Sequence, residues 1–200
     1  MDEIGRTLDA YEADPDSYVE RYRRESVAAE YGDRFFDVLP GDRILDVGCG
    51  PGADAAEFAV RGYDVTGFDL TPSFLRAGRE RVPNASFARG DMRRLPFGGA
   101  SFDAVWSCAS FLHVPRADAP DTLREFRRVL DDHGVVFLSV KRGDRSGFDA
   151  DSGRYFERYR VEGLASLIDG AGFDLIDAQS GDGWVQVLAR VAPHGSDGQS

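Results

Sequence analysis

Three aspartates, Asp46, Asp69 and Asp91, each close an apolar, strand-like run, and the first is followed at once by Gly48, Gly50 and Gly52. In ILDVGCGPGADAAEF the run before Gly48 reads as a buried strand and the alanine-rich run after Gly52 as a helix. Glycines at such a junction permit a tight turn and leave no Cβ to hold a ligand away from the backbone. The free N–H groups at the start of the helix attract negative or electron-rich atoms. Gly48, Gly50 and Ala53 satisfy G-x-G-x-x-G/A, so a dinucleotide fits this stretch as well as other ligands do.

The carboxylates narrow the choice. Asp69 ends the second strand about 20 residues past the glycines, where a carboxylate accepts from both hydroxyls of a ribose. Both NAD and S-adenosylmethionine need that contact. Asp91, in RGDM at the end of the third strand, can accept from an adenine amine. Asp46 suits a ligand carrying an ammonium group and would repel a pyrophosphate. Three acids without a basic clamp favour the cationic cofactor, S-adenosylmethionine.

Acid–base candidates are few. His113, in SFLHVP just past the fourth strand, is the histidine placed to take a proton near neutrality; packing or capping is its bland alternative. His133 sits in a turn and His194 in the tail, as bystanders. Lys141, at the end of the fifth strand on the ligand side, is the chain's only lysine. Lysine is a compact charge whose pKa moves readily, so Lys141 is expected to meet the substrate or orient a loop carboxylate. Acceptor contacts are expected from Tyr18 and Tyr22, with Tyr11 and the arginines Arg23 and Arg24 nearby, from Phe111, and from Tyr155 and Arg158 in GRYFERYR. Cys49 and Cys108 form no C-x-x-C pair and read as small buried fillers, and no His or acid spacing suggests a metal site.

The elements that must position these residues alternate. Helical spacing runs through SYVERYRRESVAAEYGDRFFDVL, and RILDV, YDVTGFDL, ASFARGDM, FDAVWSCAS and GVVFLSVKR read as strands separated by helices, with DDHG as a turn before the last of these. FDLIDAQS and WVQVLARV, joined by GDG, read as an antiparallel hairpin. Continuously apolar strands alternating with helices predict a doubly wound α/β domain with both sheet faces covered. One domain spans 1–200: a leading helical lid segment at 1–40 whose first dozen residues look loosely held, a core at 41–192, and a flexible tail at 193–200.

Composition bounds the rest. No apolar run reaches the ~20 residues that span a bilayer, and the acidic N-terminus is unlike a secretory signal, so a cytoplasmic protein, monomer or homodimer, is expected. The formal charge of −11, with arginine in place of lysine almost throughout, points to life in concentrated salt, where the Debye length shrinks to about 3 Å. The same acidity disfavours a nucleic-acid partner.

ILDVGCGPGADAAEFAVRGYDVTGFDLTPSFLRAGR, GDMRRLPFGGASFDAVWSCASFLHVP and LREFRRVLDDHGVVFLSVKRG resemble class I S-adenosylmethionine-dependent methyltransferases, with similarity from about Tyr18 to Val191. The resemblance implies a Rossmann-like, seven-stranded, mostly parallel sheet with an antiparallel last strand. It implies that Asp46 and the Gly48–Cys49–Gly50–Gly52 loop hold the methionine part, Asp69 the ribose, Leu70 the adenine face, Asp91 and the Met92 backbone the adenine edge, with Ser107 lining the methionine part. Arg160 and DDHG depart from the family pattern where a Ser or Thr cap and a Pro-Gly-Gly type turn are usual. The expected activity is methyl transfer to a small molecule, at oxygen. The alternatives are a non-catalytic S-adenosylmethionine-binding module and an NAD-dependent oxidoreductase.

Overall fold

The computed structural model describes residues 2–23 and 26–193. Arg24, His194 and the tail at 194–200 lie outside the described residues. Seven strands form one sheet: β1 (Arg43–Val47), β2 (Asp64–Asp69), β3 (Ser86–Arg89), β4 (Phe102–Cys108), β5 (Leu130–Lys141), β8 (Phe173–Gly181) and β9 (Trp184–Val191). Their order is β3-β2-β1-β4-β5-β9-β8, parallel throughout except for β9, which runs antiparallel to both neighbours. The chain leaves the centre at β1 in one direction and resumes at β4 in the other. A crevice opens beyond the strand ends at that switch point.

Alternation along the central strands fills two cores. Leu45, Val105, Val136 and Leu138 face one side, under α7 (Ala119–Val129) and α8 (Val161–Gly170). Ile44, Trp106, Val135 and Phe137 face the other, under α3 (Val27–Tyr31), α4 (Asp33–Phe36) and α5 (Ala53–Val60). Trp106 stacks on Phe137 at 3.9 Å and donates its indole N–H to Asp54 at 2.8 Å. Asp54 also accepts from the Ser26 hydroxyl and the Ala28 N–H, which ties the leading segment to α5. Helix α6 (Pro72–Arg81) covers the outer strands, starting on proline as the sequence predicts.

Three expectations about the elements need correction. Residues 2–12, expected to be loosely held, are not: α1 (Glu3–Ala13) begins on Asp2, whose carboxylate accepts from the Gly5 N–H, and it is tied down by Glu12 accepting from Ser73 and by the Thr7 hydroxyl accepting from the Tyr155 N–H. The long helix expected next is interrupted. It comprises α2 (Pro15–Tyr22), α3 and α4, because the Ser26 side chain caps a fresh start at Ala29 N–H. DDHG is no turn between elements. It lies within β5 as a bulge, the pairing jumping from Phe102–Leu130 to Ala104–Val135. GRYFERYR carries a two-residue strand, β7 (Tyr155–Phe156), paired with β6 (Gly147–Phe148).

Candidate functional site

A cavity of about 410 Å³ occupies the crevice, roofed by α1 and α2 and lined by residues from β1, β2, β4, β5 and β7. One end is acidic and one end basic.

The acidic end is built by strand termini. Asp46 is 2% exposed and faces the cavity, and its Oδ2 has no hydrogen-bond partner. Burial, with Asp54 and Asp69 adding repulsion, pushes its pKa well above the ordinary carboxylate range, while the Ala55 N–H works the other way. An orphaned carboxylate oxygen in such a place calls for a cationic or donor-rich ligand. Gly48 follows at φ +75°, and its N–H donates to Phe68 O at 2.7 Å, locking the loop onto the end of β2. Asp69 accepts from Gly50 N–H at 2.9 Å and Thr71 N–H at 2.8 Å, bonds that hold its pKa down while burial, the larger effect, raises it. Its oxygens keep further lone pairs for a ligand. Leu70, Asp91 and Met92 line the same end. Asp91 is gripped by Arg93, whose Nε and Nη2 lie 3.0 and 2.7 Å from Oδ2. Cys49 and Cys108 also line the cavity, and burial raises both thiols well above their usual range, so neither is a thiolate near neutrality.

Ser107 is not at the cavity wall. It is fully buried, its hydroxyl 2.7 Å from that of Ser110, which donates to Val47 O at 2.6 Å. Cys108, Ala109 and Ser110 line the cavity at that point. Phe111 is likewise turned inward by a 3-10 turn and packs on Phe126 and Tyr159.

The basic end carries His113, Lys141 and Arg154 around the ring of Phe156. The imidazole bonds are ordered by chemistry. Tyr155 O, 2.6 Å from Nδ1, can only accept, so Nδ1 carries the proton. The neutral ring then accepts at Nε2 from the Tyr11 hydroxyl at 3.0 Å. Tyr11 and Tyr22 in turn accept from Arg154 Nη1, each at 2.9 Å. Desolvation, helped by the charges of Arg154 and Lys141, lowers the His113 pKa to about 4. The unfolded chain takes this proton near its ordinary value and the native state only near pH 4. Stability is therefore expected to fall as pH drops across that window, by on the order of 1–3 kcal/mol, given the partial exposure of the ring. An NMR titration of the imidazole, with His113→Gln flattening that part of the stability profile, checks it.

Other acceptor-contact candidates stand apart from the cavity wall. Tyr18 stacks on Tyr22 and meets Tyr11 edge-on, supporting the roof from behind, while Tyr22 itself lines the cavity. Tyr155 turns its hydroxyl to Glu157 at 2.6 Å, and Arg158 lines a separate small cleft with Arg145 and Phe148. The arginine at the site is Arg154. Tyr11, named beside the expected acceptor contacts, and Arg154, within GRYFERYR, belong to the wall; Ser110 and Trp184 belong to it without having been singled out, and Ile4, Thr7, Leu8 and Tyr11, at helical spacing, all line the cavity. Among the described residues no three His, Cys, Asp or Glu side chains gather as metal ligands. No helix among them is long and apolar enough to cross a membrane.

Comparison with known proteins bears on the fold that carries this cavity. A family model described as "Methyltransferase domain" matches residues 44–134. Methyltransferase GfsG of Streptomyces halstedii is 32% identical over 174 residues, 74% of this chain and 61% of that protein. A malonyl-[acyl-carrier protein] O-methyltransferase of Erwinia pyrifoliae is 36% identical over 112 residues, 54% of this chain and 42% of that protein. The chain thus spans about half the length of these curated relatives. The crystal structure of Burkholderia thailandensis 1,6-didemethyltoxoflavin-N1-methyltransferase, with 1,6-didemethyltoxoflavin and S-adenosylhomocysteine bound, superposes with TM-score 0.76 at 21% identity, covering 96% of this chain and 92% of that one, and shares the fold. With the seven-stranded sheet, its antiparallel β9 and the loop at Gly48 in place, the chain has the fold of S-adenosylmethionine-dependent methyltransferases, and its residues 44–134 match their domain model.

Proposed function

We propose that this chain is an S-adenosylmethionine-dependent methyltransferase acting on an oxygen of a small-molecule acceptor in the cytoplasm. The observation that carries the reading is Asp46, a buried carboxylate with an unpartnered oxygen facing the cavity beside the Gly48 loop. Such an oxygen fits the α-ammonium of the cofactor's methionine part. Asp69 would take the ribose hydroxyls, Leu70 the adenine face, and Asp91 with the Met92 backbone the adenine edge; the Gly48–Gly52 loop would pass along the methionine part. When bound, S-adenosylmethionine supplies a methyl group on a sulfonium, open to in-line displacement by a nucleophile. The chain's own tasks are then to align the acceptor and exclude water. α1 and α2 serve the second, roofing the cavity with Ile4, Leu8, Tyr11 and Tyr22. The relative named an O-methyltransferase supports oxygen as the accepting atom.

Thermal unfolding in molar KCl with S-adenosylhomocysteine, NAD or neither tests this. Ligand at about 100 times its Kd adds ~2.7 kcal/mol to the native state, so S-adenosylhomocysteine should raise the midpoint by several degrees and NAD should leave it unmoved. A rise with NAD alone, or with neither in a folded protein, would remove the reading.

A further inference from the structure

The basic end of the cavity departs from the rest of the molecule. In a chain of net charge −11, Arg79, Arg89 and Arg127 bond backbone carbonyls, but several other arginines are paired with acids, Arg43 with Asp103, Arg93 with Asp91 and Asp118, Arg116 with Glu157. Lys141 and Arg154 are not: among the described residues no carboxylate forms an ion pair with either. Lys141 Nζ instead lies 3.8 Å over the Phe156 ring, and Arg154 flanks the same ring at 5.0 Å. Arg154 Nε is buried and has no partner at all. Two cations flanking one ring without a bonded carboxylate cost free energy, and the cost is offset when an anion binds them. Asp149 attracts both cations without forming an ion pair with either, and it is engaged with Ser152, accepting from its N–H at 2.9 Å and its hydroxyl at 2.7 Å.

The same end lacks a free base. His113 Nε2 already takes the Tyr11 proton and Nδ1 already gives its own to Tyr155 O. The Tyr11 phenol, desolvated, is harder to ionise than usual. A neutral alcohol arriving here would find nothing unengaged to take its proton. An acceptor that arrives already ionised needs none. Around the cations the wall is apolar, with Ile4, Leu8, Leu112, Phe156 and Trp184.

We propose that the acceptor is a small carboxylate with an apolar body, its anionic oxygens held between Lys141 and Arg154, and that methylation falls on the carboxylate itself. This rests on the methyltransferase reading above and names its substrate class. The carboxylate oxygen supplies the electron pair of the new C–O bond, the C–S pair passes to sulfur, and a methyl ester and S-adenosylhomocysteine result with no proton released. Lys141 is thereby a substrate-binding residue. It is the one lysine in the chain, and its compact ammonium lies against the Phe156 face.

The test uses the full chain saturated with S-adenosylhomocysteine and titrates carboxylate–amide pairs of equal shape, benzoate against benzamide and phenylacetate against phenylacetamide, following Trp184 fluorescence at fixed ionic strength. At least one carboxylate should bind about tenfold tighter than its amide, the scale of one charge-assisted hydrogen bond. Lys141→Gln should erase most of that preference while S-adenosylhomocysteine still binds, which reports that the variant is folded; Lys141→Arg should keep part of it. If no carboxylate outbinds its amide, or if the preference survives in both Lys141→Gln and Arg154→Gln, the proposal is overturned. Loss of S-adenosylhomocysteine binding in the parent protein would instead defeat the underlying reading.

Discussion

Asp46→Asn is expected to make the free protein more stable and the ligand-binding protein much poorer. At neutral pH the native state carries either a desolvated charge at Asp46 or the cost of protonating it, because its Oδ2 has no partner and its pKa is raised by burial. Asparagine removes the charge, a penalty of about 1–2 kcal/mol for a carboxylate whose pKa is raised by burial, or a few degrees in Tm for a domain of this size, while its amide still leaves a polar atom unpaired. The sign against pH follows from the raised value. Below the ordinary carboxylate pKa the wild type is at full stability, and it loses stability as pH rises through the folded value. The variant lacks that decline. Asp69 is shifted in the same direction, so the contribution of Asp46 is the difference between the two profiles. Affinity for S-adenosylhomocysteine moves oppositely: it should rise with pH over the same window in the wild type and fall ~10- to 100-fold in the variant, the loss of one charge-assisted contact. Equal affinities in the two proteins would show that Asp46 is not the ammonium partner.

Gly48→Ala is the change expected to damage the site most. The residue sits at φ +75°, where an L side chain is strained, and a Cβ placed there would lie 2.1 Å from Ser110 Cβ and 2.6 Å from its hydroxyl. Ser110 cannot give way freely, since it is tied to Val47 O and to Ser107. Strain of ~1–3 kcal/mol and overpacking of a similar size sum to roughly 2–6 kcal/mol, or about 4–24 °C in Tm. Binding of S-adenosylhomocysteine should be lost with it, because the loop that approaches the ligand is the loop displaced. Adding Ser110→Gly removes the colliding atoms. The double variant should be more stable than the sum of the single changes by on the order of 1 kcal/mol, as contacting residues do. Strict additivity in denaturant unfolding would put the damage elsewhere.

The strands and the acidic end were legible because local pattern determines them. RILDV, FDAVWSC and GVVFLSVK are predominantly apolar, as strands covered on both faces are, and Asp46 and Asp69 stand at strand ends where the fold opens. The roof was harder to read. Helix α1 is polar overall, and what holds it is distant in the chain: Tyr11 to His113, Thr7 to Tyr155, Glu12 to Ser73. A helical lid at 1–40 was expected, but the stripe Ile4, Thr7, Leu8, Tyr11, which marks α1 as ordered, is short. Arg154 and Arg158 could not be told apart, because two residues per strand in β6 and β7 give no period from which to assign a face. Ser107 and Ser110 differ by where β4 ends and the chain turns, a matter of one or two residues that decides which hydroxyl meets the cavity.

The central claim is that this cavity holds S-adenosylmethionine with its charged methionine end at Asp46 and its methyl directed toward the cationic wall. A crystal structure of the full chain with S-adenosylhomocysteine measures that directly. The account predicts the ligand's ammonium within hydrogen-bonding distance of Asp46 Oδ2, its ribose on Asp69, its adenine against Leu70, and its sulfur facing the space between Tyr11, Lys141 and Arg154. A ligand lying outside the α1 roof, or bound with Asp46 Oδ2 still unpartnered, would contradict it.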